Sequence, residues 1–162
     1  MKKIKKVLSF AMSMSLVFGL VACGGQTSSG GSNNVLKVQI DVEVASMDPQ
    51  IATDGTSFEV LAAVTEGLYS VDADGSPILA IADSVNKSTD GLTYEFKLKD
   101  AKWSNGSAVT ANDFVFAWKR LVDPATASEY SFIAGIAGIK NASEISAGNL
   151  PVEDLGVKAL DE

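Results

Sequence analysis

The clearest alternation of apolar and polar positions runs from Leu92 to Leu98. Leu92, Tyr94, Phe96 and Leu98 alternate with Thr93, Glu95 and Lys97, the period that marks a half-buried strand. Asp90-Gly91 precedes this stretch and Ser104-Asn105-Gly106 follows it. Both are turn chemistry, because Asn and Gly tolerate positive φ. The pattern then changes to a helical period, with Phe114, Val115, Trp118, Leu121 and Val122 on one stripe. Thr110 followed by Asp113 predicts a capped helix start, and Asp123-Pro124 predicts its stop. Phe114, Trp118 and Trp103 are expected to anchor a core, since apolar stripes generally mean packing.

Upstream, Leu36, Val38, Ile40, Val42 and Val44 alternate with Lys37, Gln39, Asp41 and Glu43, which predicts a first strand over Val35–Val44. Ser46-Met47-Asp48-Pro49 reads as a turn, and residues 50–56 as a loop with a tight turn at Asp54-Gly55. Ser57 is expected to cap a helix reaching Gly67, with Phe58, Leu61, Ala62, Val64 and Leu68 on its apolar stripe. Leu68–Val71 reads as a short strand into an Asp72-Ala73-Asp74-Gly75 hairpin turn, Ser76–Ala80 as extended, Ile81–Val85 as a lead into the next strand, and Asn86–Gly91 as a polar turn. The Asp72–Gly75 turn is no calcium loop, because it lacks the later bidentate Glu. Downstream, Ser131–Gly138 reads as a glycine-weakened helix. Asn141 with Glu144 predicts a capped short helix ending near Gly148, and Val157–Leu160 predicts the start of a strand.

Composition narrows the chemistry. The net charge is −7, and without the four lysines of residues 1–22 it becomes about −11. That surface argues against nucleic-acid binding, which needs a basic footprint. There is no histidine, which removes His-based triads, His-containing zinc sites and His acid–base catalysis. A single cysteine, Cys23, permits no intramolecular disulfide. No cofactor or metal site is expected. Carboxylate chemistry stays compatible with the composition, but no motif for a paired-carboxylate enzyme is present.

The N-terminus has its own pattern. Lys2, Lys3, Lys5 and Lys6 precede an apolar run over Val7–Val21, too short for a comfortable membrane span and suited to a secretory signal over residues 1–22. Leu20-Val21-Ala22-Cys23 resembles the lipobox of bacterial lipoproteins. That resemblance implies that Cys23 becomes the mature N-terminus and carries lipid, which anchors firmly once two or more acyl chains are present. Residues 24–34, GGQTSSGGSNN, contain nothing apolar. With Cys23 they form a lipidated tether, residues 23–34, whose flexible part spans on the order of 20 Å. The folded part is expected over residues 35–162.

The string KLKDAKWSNGSAVTANDFVFAWKRL, from Lys97 to Leu121, resembles the signature region of extracellular solute-binding proteins of the oligopeptide-binding type. SMDP at Ser46–Pro49, EGLYSVDADGSP at Glu66–Pro77, LVDPATASEY at Leu121–Tyr130 and DLGVKALDE at Asp154–Glu162 extend the resemblance in the same order. It implies an α/β, periplasmic-binding-protein-like fold of two lobes, with a mixed sheet and flanking helices. The chain would cover part of the first lobe, with the hinge and second lobe lying beyond it.

The same resemblance implies a non-enzymatic receptor of an ABC importer that captures oligopeptides and delivers them to membrane permease subunits. It would act as a monomer, held at the outer face of the cell membrane by the lipid on Cys23; Gly24 and the long Gly/Ser tether suit a Gram-positive surface lipoprotein. ATP hydrolysis would belong to a partner, since the chain has no G-x-x-x-x-G-K-[ST] loop. Two ligand-facing stretches carry over: Thr53, Asp54 and Gly55, whose backbone would pair with the peptide main chain, and Tyr130, which ends the Thr126-Ala127-Ser128-Glu129-Tyr130 motif. Ordinary solvated-turn and packing roles remain open for these residues. Other ligands (dipeptides, nickel chelates, haem, oligosaccharides) and a non-transporting sensor or adhesin are the alternatives.

Overall fold

The computed structural model describes residues 37–161. The expected signal, Cys23 and the tether lie outside the described residues. The regular elements among the described residues fall within one unit, Ile40–Glu162.

Helix α1 spans Gly55–Val64. Two antiparallel hairpins follow: β1 (Tyr69–Val71) with β2 (Pro77–Leu79), and β3 (Ala82–Lys87) with β4 (Tyr94–Leu98). The first hairpin turns on Asp72, whose Oδ1 accepts the N–H groups of Asp74 and Ser76 at 3.0 and 2.8 Å. The second turns on Ser88 and Asp90, joined by a 2.5 Å hydroxyl–carboxylate bond. The β3–β4 register shifts between Ala82 and Ser84, a bulge that bends the strand where Ala82 is fully buried. Tyr69 and Phe96 meet edge to face at 6.0 Å and link the two hairpins.

Helix α2 covers Ala111–Val122. Thr110 and Asp113 close the expected capping box, and Asp113 Oδ2 accepts the Thr110 backbone N–H at 2.7 Å. A 3-10 turn at Pro124–Thr126 leads to the short helices α3 (Phe132–Ile136) and α4 (Ala142–Ser146), and a second 3-10 turn covers Val152–Asp154. The core sits where these elements meet. Val122, Ala134, Ala142, Ile145 and Leu155 are buried there, with Trp118, Leu121, Ile139, Leu150, Val152 and Val157 packed around them. Gly156 donates to the Lys140 carbonyl at 3.0 Å. A Cβ on Gly156 would stand 2.6 Å from Lys140 Cβ, so the approach requires a residue without one.

Several expectations are corrected. Lys37–Val44 forms no strand, and Val38, Ile40 and Val42 are exposed. Alternation gives a segment one apolar face, but a strand also needs a neighbour for its N–H and C=O groups. Among the described residues none pairs with it. Val157–Leu160 is also without strand pairing, because Val157 is used in packing against the helical core. Among the described residues the strands form two antiparallel hairpins; each strand finds its partner across an adjacent tight turn. Asn141 does not cap α4 through its side chain. It adopts a left-handed φ of 66° and donates to the Asp154 carbonyl at 2.8 Å, while Glu144 accepts from Asn149. Trp103 is half exposed and lies outside the core.

Candidate functional site

The stretch around Thr53–Gly55 is built from both ends. Asp54 is the N-cap of α1: its Oδ1 accepts the Ser57 N–H at 2.9 Å. Asp54-Gly55 is therefore the entry to a helix and not the expected tight turn. Ser57, expected as the cap, lies one turn inside and is fully buried. Asp suits turns and N-caps alike, so the dipeptide carries both meanings. The Ser57 hydroxyl accepts the Ser46 N–H at 3.1 Å, which closes the segment 46–57, a loop that runs into the first turn of α1. The Ser57 hydroxyl beside the carboxylate, and then the Ser57 N–H, hold the Asp54 carboxyl below its ordinary value. Thr53 and Gly55 are exposed. A Cβ added at Gly55 would meet nothing within 4 Å. The main chain of Thr53 and Gly55 faces solvent here, while the Asp54 carbonyl accepts the Phe58 N–H at 3.2 Å.

The preceding turn is held by a cluster that local sequence reading missed. Arg120 on α2 grips Asp48 with both nitrogens, Nη1 to Oδ1 at 2.7 Å and Nη2 to Oδ2 at 2.5 Å. Nη1 also donates to Gln50 Oε1 at 2.7 Å, and Gln50 Nε2 donates to the Ala117 carbonyl of α2 at 2.7 Å. Asp48 Oδ1 accepts the Gln50 N–H, and the Asp48 carbonyl accepts those of Ile51 and Ala52. The fork matches the carboxylate geometrically, which makes such a pair stronger than a point contact. The hydrogen bond from Arg120 holds the Asp48 carboxyl below its ordinary 3.8, and the Arg120 guanidinium is raised in return. With the two side chains 33% and 34% exposed, water and salt screen part of this attraction. The only signals in the chain were an Asp-Pro turn and an arginine facing away from the α2 apolar stripe.

Tyr130 is half-buried between two aromatic rings. Phe58 of α1 meets it edge to face at 5.7 Å, and Phe132 lies tilted at 6.0 Å. Phe58 thus brings the helix that Asp54 caps against Tyr130, joining the two stretches singled out from the sequence. Beside Tyr130 lies a shallow open groove of about 370 Å³, lined by Ser131, Phe132, Gly135, Ile136, Ser143 and Ser146. The Ser128 hydroxyl is buried without a partner among the described residues. No cluster of three or more His, Cys, Asp or Glu side chains suited to a metal is present among the described residues. No helix among them is long and apolar enough to cross a membrane.

The profile of the bacterial extracellular solute-binding proteins, family 5 Middle, matches residues 76–162, more than half of the chain. The chain belongs to this family. It is 44% identical over 161 residues to a dipeptide-binding protein of Lactococcus lactis, covering 98% of this chain and 28% of that relative. The fold resembles the substrate-binding domain of an oligopeptide ABC transporter from Bacillus anthracis, at TM-score 0.70 and 53% identity over 74% of this chain and 23% of the other. It also resembles Listeria monocytogenes OppA bound to peptide, at TM-score 0.69 and 44% identity over 72% of this chain and 23% of the other. The family 5 chain thus has the periplasmic-binding-protein-like α/β fold and spans less than a third of its relatives' length.

Proposed function

We propose that this chain forms part of the first lobe of a peptide receptor serving an ABC importer. One observation supports the reading: Phe58, in the first half of the helix that Asp54 caps, packs on Tyr130 in a chain of the family 5 solute-binding proteins. Thr53, Asp54 and Gly55 offer main-chain N–H groups, and Thr53 its carbonyl, to an extended peptide, while the Asp54 carbonyl is taken by the Phe58 N–H of α1. Tyr130 offers a ring face and one hydroxyl. Such a site binds main chain and accepts varied side chains, which suits oligopeptides. Closure of two lobes on the ligand would shift the population toward the form that the permease recognises.

The receptor works as a binding protein without turnover. Residues 1–22 serve as signal, and lipid on Cys23 with the tether of residues 23–34 holds the monomer at the outer face of a Gram-positive membrane. Calorimetry of the gene product with peptides of graded length tests the reading. Peptide binding that survives side-chain scrambling is expected. Failure to bind any peptide, with binding of a sugar or metal chelate instead, would overturn it. Cys23→Ala is expected to leave the protein unprocessed or released from membranes; a processed, acyl-anchored variant would contradict the lipid site.

A further inference from the structure

The loop 46–57 is short, polar and pinned at three places. Its base is closed by the Ser46 N–H to the Ser57 hydroxyl. Its exit is set by the Asp54 cap on α1. Its entry turn is held against α2 by Arg120 on Asp48 and Gln50, and by Gln50 on the Ala117 carbonyl. Side-chain burial within it is confined to Ala52 and Ser57. A compact loop of this length is ordinarily held by its own packed side chains, and here polar contacts take that part.

We infer that Arg120 is a positioning residue for peptide capture: through Asp48 and Gln50 it fixes the backbone of Thr53–Gly55 in the conformation that receives the ligand. The inference rests on the peptide-receptor reading. Arg120 touches no ligand in this account. It lowers the ordering that binding would otherwise require, since a loop already fixed in its bound shape loses less entropy on binding. The geometry distinguishes Arg from Lys. Two fork nitrogens meet the two Asp48 oxygens side by side while Nη1 also reaches Gln50 Oε1; the single nitrogen of Lys keeps the charge and loses this parallel pair. Because the pair is partly exposed, its effect on affinity weakens as salt rises.

The test uses the gene product and its Arg120→Gln and Arg120→Lys variants, with a tripeptide and a pentapeptide as probes. Calorimetry reads affinity and amide hydrogen exchange reads the loop. Arg120→Gln is expected to lower affinity about 3- to 30-fold, with Arg120→Lys recovering only part of it. Exchange should quicken at residues 51–56 while the amides of Ala134, Ala142 and Ile145 keep their protection. The wild-type advantage should shrink in high salt. Unchanged affinity in Arg120→Gln overturns the inference, as does an affinity loss matched by faster exchange across the helical core, which would mean general destabilisation. Full recovery by Arg120→Lys also overturns it, because charge alone would then suffice. Wild-type protein that binds neither peptide overturns the receptor reading itself and the inference with it.

Discussion

The loop 46–57 and the helical cluster around Ile145 are held by different physics. In the cluster, Val122, Ala134, Ala142, Ile145 and Leu155 are buried on one another. That attraction is non-directional and proportional to the area removed from water. In the loop, Asp48, Gln50, Ser46 and Ser57 hold position through hydrogen bonds of defined direction. Packing tolerates small shifts, whereas a forked ion pair fixes orientation. The difference suits the proposed division of work: a scaffold that only needs to stay folded, and a backbone segment that has to present its amides in one arrangement.

Substitutions separate the two. Ile145→Ala has the largest expected effect, a loss of roughly 2–5 kcal/mol in global stability read by denaturant melts, because its side chain is fully buried in the cluster. Next is Gly156→Ala, whose new Cβ would meet Lys140 at 2.6 Å; a loss of roughly 1–3 kcal/mol is expected, as for an overpacked site. Arg120→Gln should leave melts at neutral pH much closer to wild type and change their acid limb. The folded Asp48 carboxyl lies below 3.8 and returns to that value on unfolding. Its stabilisation is therefore complete above about pH 4 and lost as pH falls through the depressed folded value. Wild type should lose stability more steeply in acid than Arg120→Gln; parallel acid limbs would break the assignment. Tyr130→Phe keeps the ring contacts with Phe58 and Phe132 and should move stability by no more than about 0.5 kcal/mol, while reducing peptide affinity. Unchanged affinity would make Tyr130 a packing residue only.

Legibility in the sequence followed the range of the interactions. The Thr110–Asp113 box, the hairpin turn at Asp72–Gly75 and the strand Tyr94–Leu98 are local, and local pattern was enough to predict them. Asp54-Gly55 reads as a tight turn and is instead the entry to α1, because Asp-Gly serves both turns and helix entries. Lys37–Val44 shows the limit of periodicity: alternation specifies a face, and pairing depends on a neighbour that periodicity does not report. Asp48 and Arg120 lie 72 positions apart, and nothing in either local pattern links them. The Tyr130 motif marked its residue through family resemblance, whereas its contact with Phe58 came only from the fold.

Native mass spectrometry of the gene product purified from its own cells tests the central claim most directly. Protein carrying a ladder of short-peptide masses that fall away on unfolding is expected, with a lipid increment on Cys23. Protein that is lipidated and folded but carries no peptide, and acquires none from a peptide mixture, would contradict the receptor reading.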